Sequence, residues 1–329
     1  MYGGVLYGAK DDSPTSDFSI CDVSNMRWTN LTYRLNWIHN PHDRFSTRSE
    51  EPLPCISSPG ATLLRMRNSS YIAIVGGFDG QTQQARSGIV LVDPTAREWW
   101  NLDIQGIAPG PRISPAVVAV GSRIYVFGGY RRFGDDPQPY YSYSIAEHLA
   151  DKGVWSWSTC DEPYSSAVPV GMVFQEACAV YNGAKILLTP GRLTDSEHIN
   201  FTPENNIFFH TEHKKFQPAT ADITGTFPSN VRWYSVSRPS VAISAFDSTV
   251  IICCFVDVPG TDDVAPEVWR LSLTPHEKID SLNIMRKIWD LNSDFQGAIC
   301  VGGKVRLMGW DQVGKDARWN TFLDILWNQ

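Results

Sequence analysis

The feature that most constrains the fold is a repeated pair of apolar runs, separated by a short polar turn and closed by glycine. One copy turns at Gly121-Ser122 and ends at Gly128-Gly129, and the copy before it, "ATLLRMRNSSYIAIVGG", ends at Gly76-Gly77. Apolar runs of this length, bounded by Gly, Asn, Asp and Ser, predict β-strands. A unit that recurs along the chain predicts a repeat architecture built from β-hairpins.

Further copies of the hairpin keep fewer of the glycines. They are "CAVYNGAKILLTPG" with Pro190-Gly191 in the glycine place, "VAISAFDSTVIICCF" without glycines, and "AICVGGKVRLMGW", which keeps Gly309. The opening "MYGG" matches the second strand of a unit whose first strand is missing. The repeat therefore covers nearly the whole chain, and an all-β fold is expected.

A second motif follows several hairpins, an aspartate with a tryptophan six residues later. Asp93 and Trp99 have this spacing, as do Asp22 and Trp28, while His210 and Phe216 substitute for them in a third copy. Together the two motifs resemble the kelch repeat, in which each unit is a four-stranded blade of a β-propeller of the galactose-oxidase type. The resemblance implies a single domain over residues 1–329, with six four-stranded blades beginning near residues 1, 58, 112, 174, 236 and 293 and a long inserted loop at 36–58.

In a propeller of this type, loops that enter the first strand and loops that leave the second emerge on one face, where ligands bind. Counting back from the glycines places Ser114, Glu176, Ser240 and Phe295 at one equivalent position, where the chain enters the first strand. Arg112 and Arg238, two residues before the serines, are expected to bridge neighbouring blades. The predicted ligand-binding residues are Ser114, Arg131, Arg132, Phe133, Arg192, Tyr164, Phe174, Trp233, Ser240, Phe295 and Trp310.

Charge and composition exclude several classes of partner. The net charge is −7 and no basic stretch exceeds two residues, which argues against a nucleic-acid partner. No apolar run approaches the roughly 20 residues needed to cross a bilayer, so no membrane partner is expected. Seven scattered cysteines, most of them in apolar runs, indicate reduced core thiols. With no leader sequence at its start, the chain is expected to be a cytoplasmic monomer.

Neither a metal nor a cofactor is predicted. His210 and His213, three apart on a strand, would face opposite ways, which argues against joint ligation, and the pair His39 and His42 is expected to be exposed. The iron-binding run of kelch-type plant specifier proteins would need a histidine where Trp155 stands, and the paired His and Tyr copper ligands of galactose oxidase cannot be assembled. Nucleophile motifs and the sialidase boxes are also missing.

The sequence leaves two functions open. The first is a binding scaffold that recognises a protein or peptide ligand through the loops at one mouth of the central channel. The alternative is a metal-free isomerase, cyclase or lyase, or a protein that binds a small molecule or glycan, with an aromatic pocket at the same mouth. In that case Glu176, His198 and Asp195 are the predicted acid and base groups, because burial would raise the pKa of Glu176.

Overall fold

A computed structural model describes the chain in segments. The described residues are 18–22, 27–31, 34–38, 48–49, 53–66, 69–131, 138–160, 174–190, 198–199, 205–218, 231–232, 241–246, 249–261, 264–272, 280–283, 294–301, 304–313 and 316–326. They form strands and turns, with a 3₁₀ turn at Tyr181–Gly183 and no α-helix among them, so the all-β prediction is confirmed. No helix in this part of the chain has the length and hydropathy of a membrane span. The chain divides into two compact units, Met1–Pro163 and Tyr164–Gln329.

Unit 1 contains two antiparallel meanders. The first runs β6 (Gly60–Met66), β7 (Ser69–Val75), β10 (Ile89–Asp93) and β11 (Glu98–Asn101). The second runs β13 (Ala116–Val120), β14 (Arg123–Phe127), β15 (Tyr143–Leu149) and β16 (Val154–Cys160). Smaller elements are the hairpin β1 (Ser19–Asp22) with β2 (Arg27–Asn30), and the small sheet β5 (Ile56–Ser57), β8 (Phe78–Asp79) and β9 (Gln84–Ala85).

Unit 2 repeats the meander twice. One copy is β17 (Phe174–Val180), β18 (Lys185–Pro190), β20 (Ile207–His210) and β21 (Lys215–Pro218). The other is β23 (Val241–Phe246), β24 (Thr249–Asp257), β25 (Val264–Ser272) and β26 (Asp280–Asn283). The short strands β19 (His198–Ile199) and β22 (Val231–Arg232) join the end of β24. A three-stranded sheet, β27 (Asp294–Val301), β28 (Lys304–Val313) and β29 (Asp316–Leu326), completes the unit.

Each of the four meanders contributes four consecutive antiparallel strands to sheets of six, five, four and six strands. The polar turn between the apolar runs lies between the first and second strands, as Val120 pairing with Arg123 across Gly121-Ser122 shows. The glycines follow the second strand, at the opposite end of the sheet. We call that end, where the chain enters the first strand and leaves the second, the loop end of a sheet.

A parallel strand on the outer edge of each unit 1 meander was not predicted. After β2 the chain forms β3 (Asn36–Ile38), which pairs in parallel with β11, and after β11 it forms β12 (Ile104–Gln105), which pairs in parallel with β16. Trp37 lies beside Trp99, and Ile104 beside Trp155. Residues 36–58, predicted as an inserted loop, therefore hold β3, β4 (Arg48–Ser49), paired with β3, and β5.

The sheets are held together by apolar cores on their faces. In unit 1, Leu64, Val117 and Trp157 belong to one buried cluster shared by the two meanders, and Trp99 belongs to a second cluster with Phe18 on the other face of the first meander. Burying an aromatic side chain removes roughly 150–250 Å² from water, which stabilises by several kcal/mol at about 25 cal/mol per Å². Trp99 of the second motif thus covers an apolar face of the first meander.

Candidate functional site

At the loop end of unit 1, a network of backbone hydrogen bonds, here called the lattice, joins the segments that enter the first strands to the loops that leave the second strands. The segment entering the second meander lies between the loops that leave β7 and β14. The Gly77 amide donates to the Arg112 carbonyl (2.8 Å) and the Arg112 amide to the Arg86 carbonyl (2.9 Å). On its other side, Ile113 and Tyr130 exchange two backbone hydrogen bonds of 2.8 Å. Loops fixed in this way present their side chains on a rigid frame.

Arg112 is the buried arginine of this lattice, with 1% of its surface exposed. Its Nε donates to the Gly110 carbonyl (3.1 Å) and its Nη1 to the Gly128 carbonyl (3.0 Å), while its backbone joins it to Gly77. A guanidinium supplies several donors in a fixed fork, which suits a site that must satisfy several carbonyls. The guanidinium therefore joins carbonyls before and after the first two strands of the second meander, while the backbone of Arg112, and not its predicted donor fork, reaches the loop that leaves β7.

Ser114 lies just before β13 and has an unpredicted counterpart. Its φ is 49°, and Ser58, just before β6, has a φ of 48°. The Ser114 amide donates to the Ser58 carbonyl (2.8 Å), which ties the segments leading into β6 and β13 together. The signal was present in the sequence, because each serine precedes a proline, Pro59 or Pro115. Ser114 is half-buried, and its backbone takes part in this hydrogen-bond network.

Arg131 is the predicted ligand-binding residue that the structure presents to solvent. Its side chain is exposed, and its guanidinium carbon lies 4.9 Å from the centroid of the Tyr140 ring. The same ring carries the Arg112 guanidinium at 4.6 Å, and the Tyr140 hydroxyl packs against Gly110. The Arg131 amide donates to the Gln138 carbonyl (2.8 Å). Stacking on a fixed ring orients the charge without neutralising it.

Glu176 lies at the loop end of β17, in unit 2. A β-bulge separates Phe174, which pairs with Pro190, from Glu176, which pairs with Thr189. In unit 1 the residue paired with the last position before the glycines is Ala116. Glu176 therefore corresponds to Ala116. Counting from the glycines predicts instead that it corresponds to Ser114, which lies two residues before Ala116. The cause is the turn at 181–184, which is longer than Gly121-Ser122.

Burial raises the pKa of the Glu176 carboxyl to about 8. Part of the side chain is accessible, yet the carboxyl shares its strand face with Cys178, a member of the buried apolar cluster of unit 2. Burial, and secondarily the nearby Glu176 charge, raise the pKa of the Cys178 thiol. Glu176 is consequently a neutral carboxylic acid near pH 7, able to donate or release a proton. The predicted rise of its pKa by burial is confirmed.

The remaining predicted site residues fall into two groups. Four have a described backbone: Phe174 in β17, His198 in β19, Phe295 in β27 and Trp310 in β28. His198 pairs with Arg232 in the segment that precedes β23, at the loop end of unit 2. The others lie outside the described residues; they are Arg132, Phe133, Tyr164, Arg192, Asp195, Trp233, Ser240 and Arg238.

His210 ends β20, whereas His213 lies in the turn that follows it, so the predicted placement of both histidines on one strand is wrong. The His210 ring bonds the Gln217 side chain (Nε2 to Oε1, 2.7 Å), and the His213 ring lies 6.4 Å from it, centroid to centroid. In the described segments no group of three or more His, Cys, Asp or Glu side chains is arranged to hold a metal ion. Among the described residues, Cys55 and Cys178 are free thiols.

Comparison with known proteins gives no family assignment. No protein-family model matches the chain, and a search of curated proteins returns no significant match.

Proposed function

We propose that this chain is a kelch-type β-propeller of six blades that acts in the cytoplasm as a binding scaffold, recognising a protein or peptide through its loop ends. The four meanders support the propeller, because each has the strand order of a blade and carries its entering and leaving loops at the same end. The free thiols of Cys55 and Cys178 support a reducing compartment. The loops support recognition, because a rigid lattice offers pre-oriented side chains.

The observation that carries the binding proposal is the presentation of Arg131. It is an exposed guanidinium on a loop held by backbone hydrogen bonds, and Tyr140 fixes its orientation. Arginine and aromatic residues are common among the residues that contribute most to the affinity of protein interfaces. In the described part of the chain no carboxylate pairs with Arg131.

The test is quantitative affinity capture with immobilised wild-type protein and two single variants. Arg131→Ala removes the presented charge, and Arg65→Ala removes an exposed arginine of β6, away from the loop end. We expect a protein partner retained by wild type and by Arg65→Ala, and reduced at least about tenfold by Arg131→Ala. Equal capture by all three proteins contradicts the placement of the binding face.

A second candidate function, a small-molecule or glycan pocket with acid–base chemistry, is favoured by Glu176. A carboxyl whose pKa burial raises to about 8 is suited to proton transfer near neutral pH. His198, placed in the same unit, and Asp195 would be its partners in this function. The same captured material discriminates the two functions, because a retained small molecule without a protein partner supports the pocket.

A further inference from the structure

The first meander of unit 2 carries a row of basic side chains at the end opposite its loop end. Lys185 begins β18, His210 ends β20 and Lys215 begins β21, and the register pairs Lys185 with His210 and His210 with Lys215. Paired residues of neighbouring antiparallel strands point to the same face of the sheet, so the three side chains lie side by side across three strands. Lys214, in the turn before β21, adds a third lysine, and we call Lys185, Lys214 and Lys215 the lysine cluster.

The turn that carries the cluster is fixed to the neighbouring turn of the sheet. The Thr211 hydroxyl lies within hydrogen-bond distance of the carbonyls of Gly183 (2.9 Å) and Ala184 (3.0 Å), and the Thr211 amide donates to the Ala184 carbonyl (3.1 Å). The Lys185 Nζ lies 4.9 Å from the centroid of the Phe208 ring. A cation over an aromatic face keeps its charge while its position is restricted. The lysine charges therefore lose little conformational freedom when they bind an anion.

The described residues supply little negative charge beside the cluster. Its two exposed lysines, in the turn and at the start of β21, form no ion pair with a described residue. Glu212, in the same turn, is exposed, so the cluster and Glu212 together carry three positive charges and one negative, whereas the whole chain carries −7. Near the same end of the second meander of unit 2, Asp280 pairs with Arg270 in the register, and Asp247 lies outside the described residues.

The size of the cluster selects among anionic partners. Surfaces that bind anionic lipids combine about four to eight Lys or Arg residues. Nucleic-acid surfaces make about six to ten phosphate contacts. Three lysines are too few for either, and the negative charge of the rest of the chain repels an extended polyanion. A short acidic peptide needs fewer contacts, and complementary charge favours its approach to this end of the sheet.

We propose that the lysine cluster is a second binding surface, which takes an acidic segment of a partner protein in an extended conformation. Residues i and i+2 of an extended chain lie on one side, about 7 Å apart. The Cβ atoms of Lys185 and Lys215, two strands apart, are separated by roughly 10 Å. Lysine side chains are long and flexible, so the two ammonium groups can reach both carboxylates of such a pair. The surface lies at the end opposite the loop end and does not depend on the proposed function.

The experiment is a fluorescence anisotropy titration with two labelled peptides, acetyl-Glu-Ser-Glu-Ser-Glu amide and the same peptide with glutamine in place of each glutamate. At an ionic strength of about 0.05 M, wild type should bind the acidic peptide at least about tenfold more tightly than the neutral one, and more salt should weaken only the acidic peptide. Replacing both exposed lysines, in Lys214→Gln/Lys215→Gln, should weaken binding of the acidic peptide about tenfold.

Lys152→Glu is the matched control. Lys152 is an exposed lysine in the corresponding turn of unit 1, between β15 and β16. Lys152→Glu lowers the net charge by two units, as the double variant does, so an effect of total charge would appear equally in both. We expect Lys152→Glu to bind the acidic peptide within about twofold of wild type, because its charge is far from the cluster and screened. Circular dichroism and thermal unfolding show that both variants are folded.

Three results contradict the proposal: equal binding of the two peptides, an unchanged affinity in the double variant, or equal losses in the double variant and in Lys152→Glu. Tighter binding of anionic vesicles or single-stranded DNA than of the acidic peptide would identify a polyanion surface and also contradict it. Arg131→Ala leaves the cluster intact, so loss of the loop-end function and loss of this surface are separate results. If no partner depends on Arg131 while the acidic peptide binds, the lysine surface stands without the loop-end scaffold.

Discussion

At the scale of residues, Arg112 and Glu176 show two ways of placing a charged group at a loop end. Arg112 is buried, but its guanidinium donates to the carbonyls of Gly110 and Gly128 and stacks on Tyr140, so its environment compensates its burial. For Glu176 no such donor lies among the described residues, and burial raises the pKa of its carboxyl to about 8. Hydrogen bonds to a buried charge compensate its burial, whereas burial without them favours the neutral form of a carboxyl.

The raised pKa of Glu176 predicts how the free energy of unfolding changes with pH. The folded state holds this proton up to about pH 8, whereas the unfolded chain loses it near 4.5. Between these values the folded state binds more protons, so its stability falls as the pH rises. Glu176→Gln removes this dependence, and we expect the variant to gain roughly 1–3 kcal/mol relative to wild type between about pH 5 and pH 9.

The measurement is urea unfolding of wild type and Glu176→Gln across that pH range, with Glu212→Gln as the control. The two curves of unfolding free energy should diverge above about pH 5 and become parallel above about pH 8. Curves that stay parallel throughout would show that the Glu176 carboxyl ionises in the folded protein as it does in water.

At the scale of elements, the hairpins and their turns were predictable, because strand alternation and turn residues are local signals. The edge strands β3 and β12 were not, since a two- or three-residue parallel strand has no periodicity and its partner lies far along the chain. The bulges in β17 and β27 were also missed. Each bulge shifts by one residue the equivalent position found by counting along the strand. The shared "FQE" and "FQG" at the start of the two strands offered a signal for them.

The candidate site was less predictable than the strands. A structural role for Arg112 followed from its repeated position, although its guanidinium bonds the carbonyls of Gly110 and Gly128 and does not bridge two repeats. The exposed placement of Arg131 followed from its place after the second strand. The stacking of Arg131 on Tyr140 did not, because it depends on the course of the loop between them and on the space that Gly110 leaves for the ring. Packing of this kind is set by tertiary contacts and not by local sequence.

The close packing around Gly77, which follows β7, predicts that alanine there lowers the stability of the protein. Gly77 has a φ of +89°, and a Cβ there would meet the Ile56 side chain and, at 2.9 Å, the Ser57 carbonyl. Gly121, in the turn after β13, has a φ of +57° with open space around it. Alanine at Gly121 should cost about 1 kcal/mol, and alanine at Gly77 about 2–4 kcal/mol, because backbone strain and a clash add there.

Chemical unfolding of the two glycine variants measures the difference. A larger loss for Gly77→Ala shows that the turn is fixed by the close approach of β5, and hydrogen exchange of the Arg86 and Gly80 amides should quicken in that variant alone, since they bond Gly77 and the adjoining β5 segment. Equal losses would mean that conformation alone sets the cost at both positions.

At the scale of the whole molecule, cooperativity tests the proposed ring. Within unit 2 one apolar cluster joins residues of β17 and β18 to residues of β24 and β25, and within unit 1 one cluster joins its two meanders. Each unit is therefore expected to unfold as a whole. In a closed propeller, opening any blade exposes the faces of its neighbours. Both units should then unfold in one transition.

Leu187→Ala in β18 distinguishes these cases. Leu187 is fully buried in the unit 2 cluster, and its truncation should cost about 2–5 kcal/mol. In a closed ring the loss is shared, and the slowest amides of β14 in unit 1 should exchange faster by the same free energy. Leu91→Ala in unit 1 is the reciprocal variant, expected to act on β18. If each substitution accelerates exchange in its own unit alone, the six-bladed ring is wrong and the chain is two independent β units.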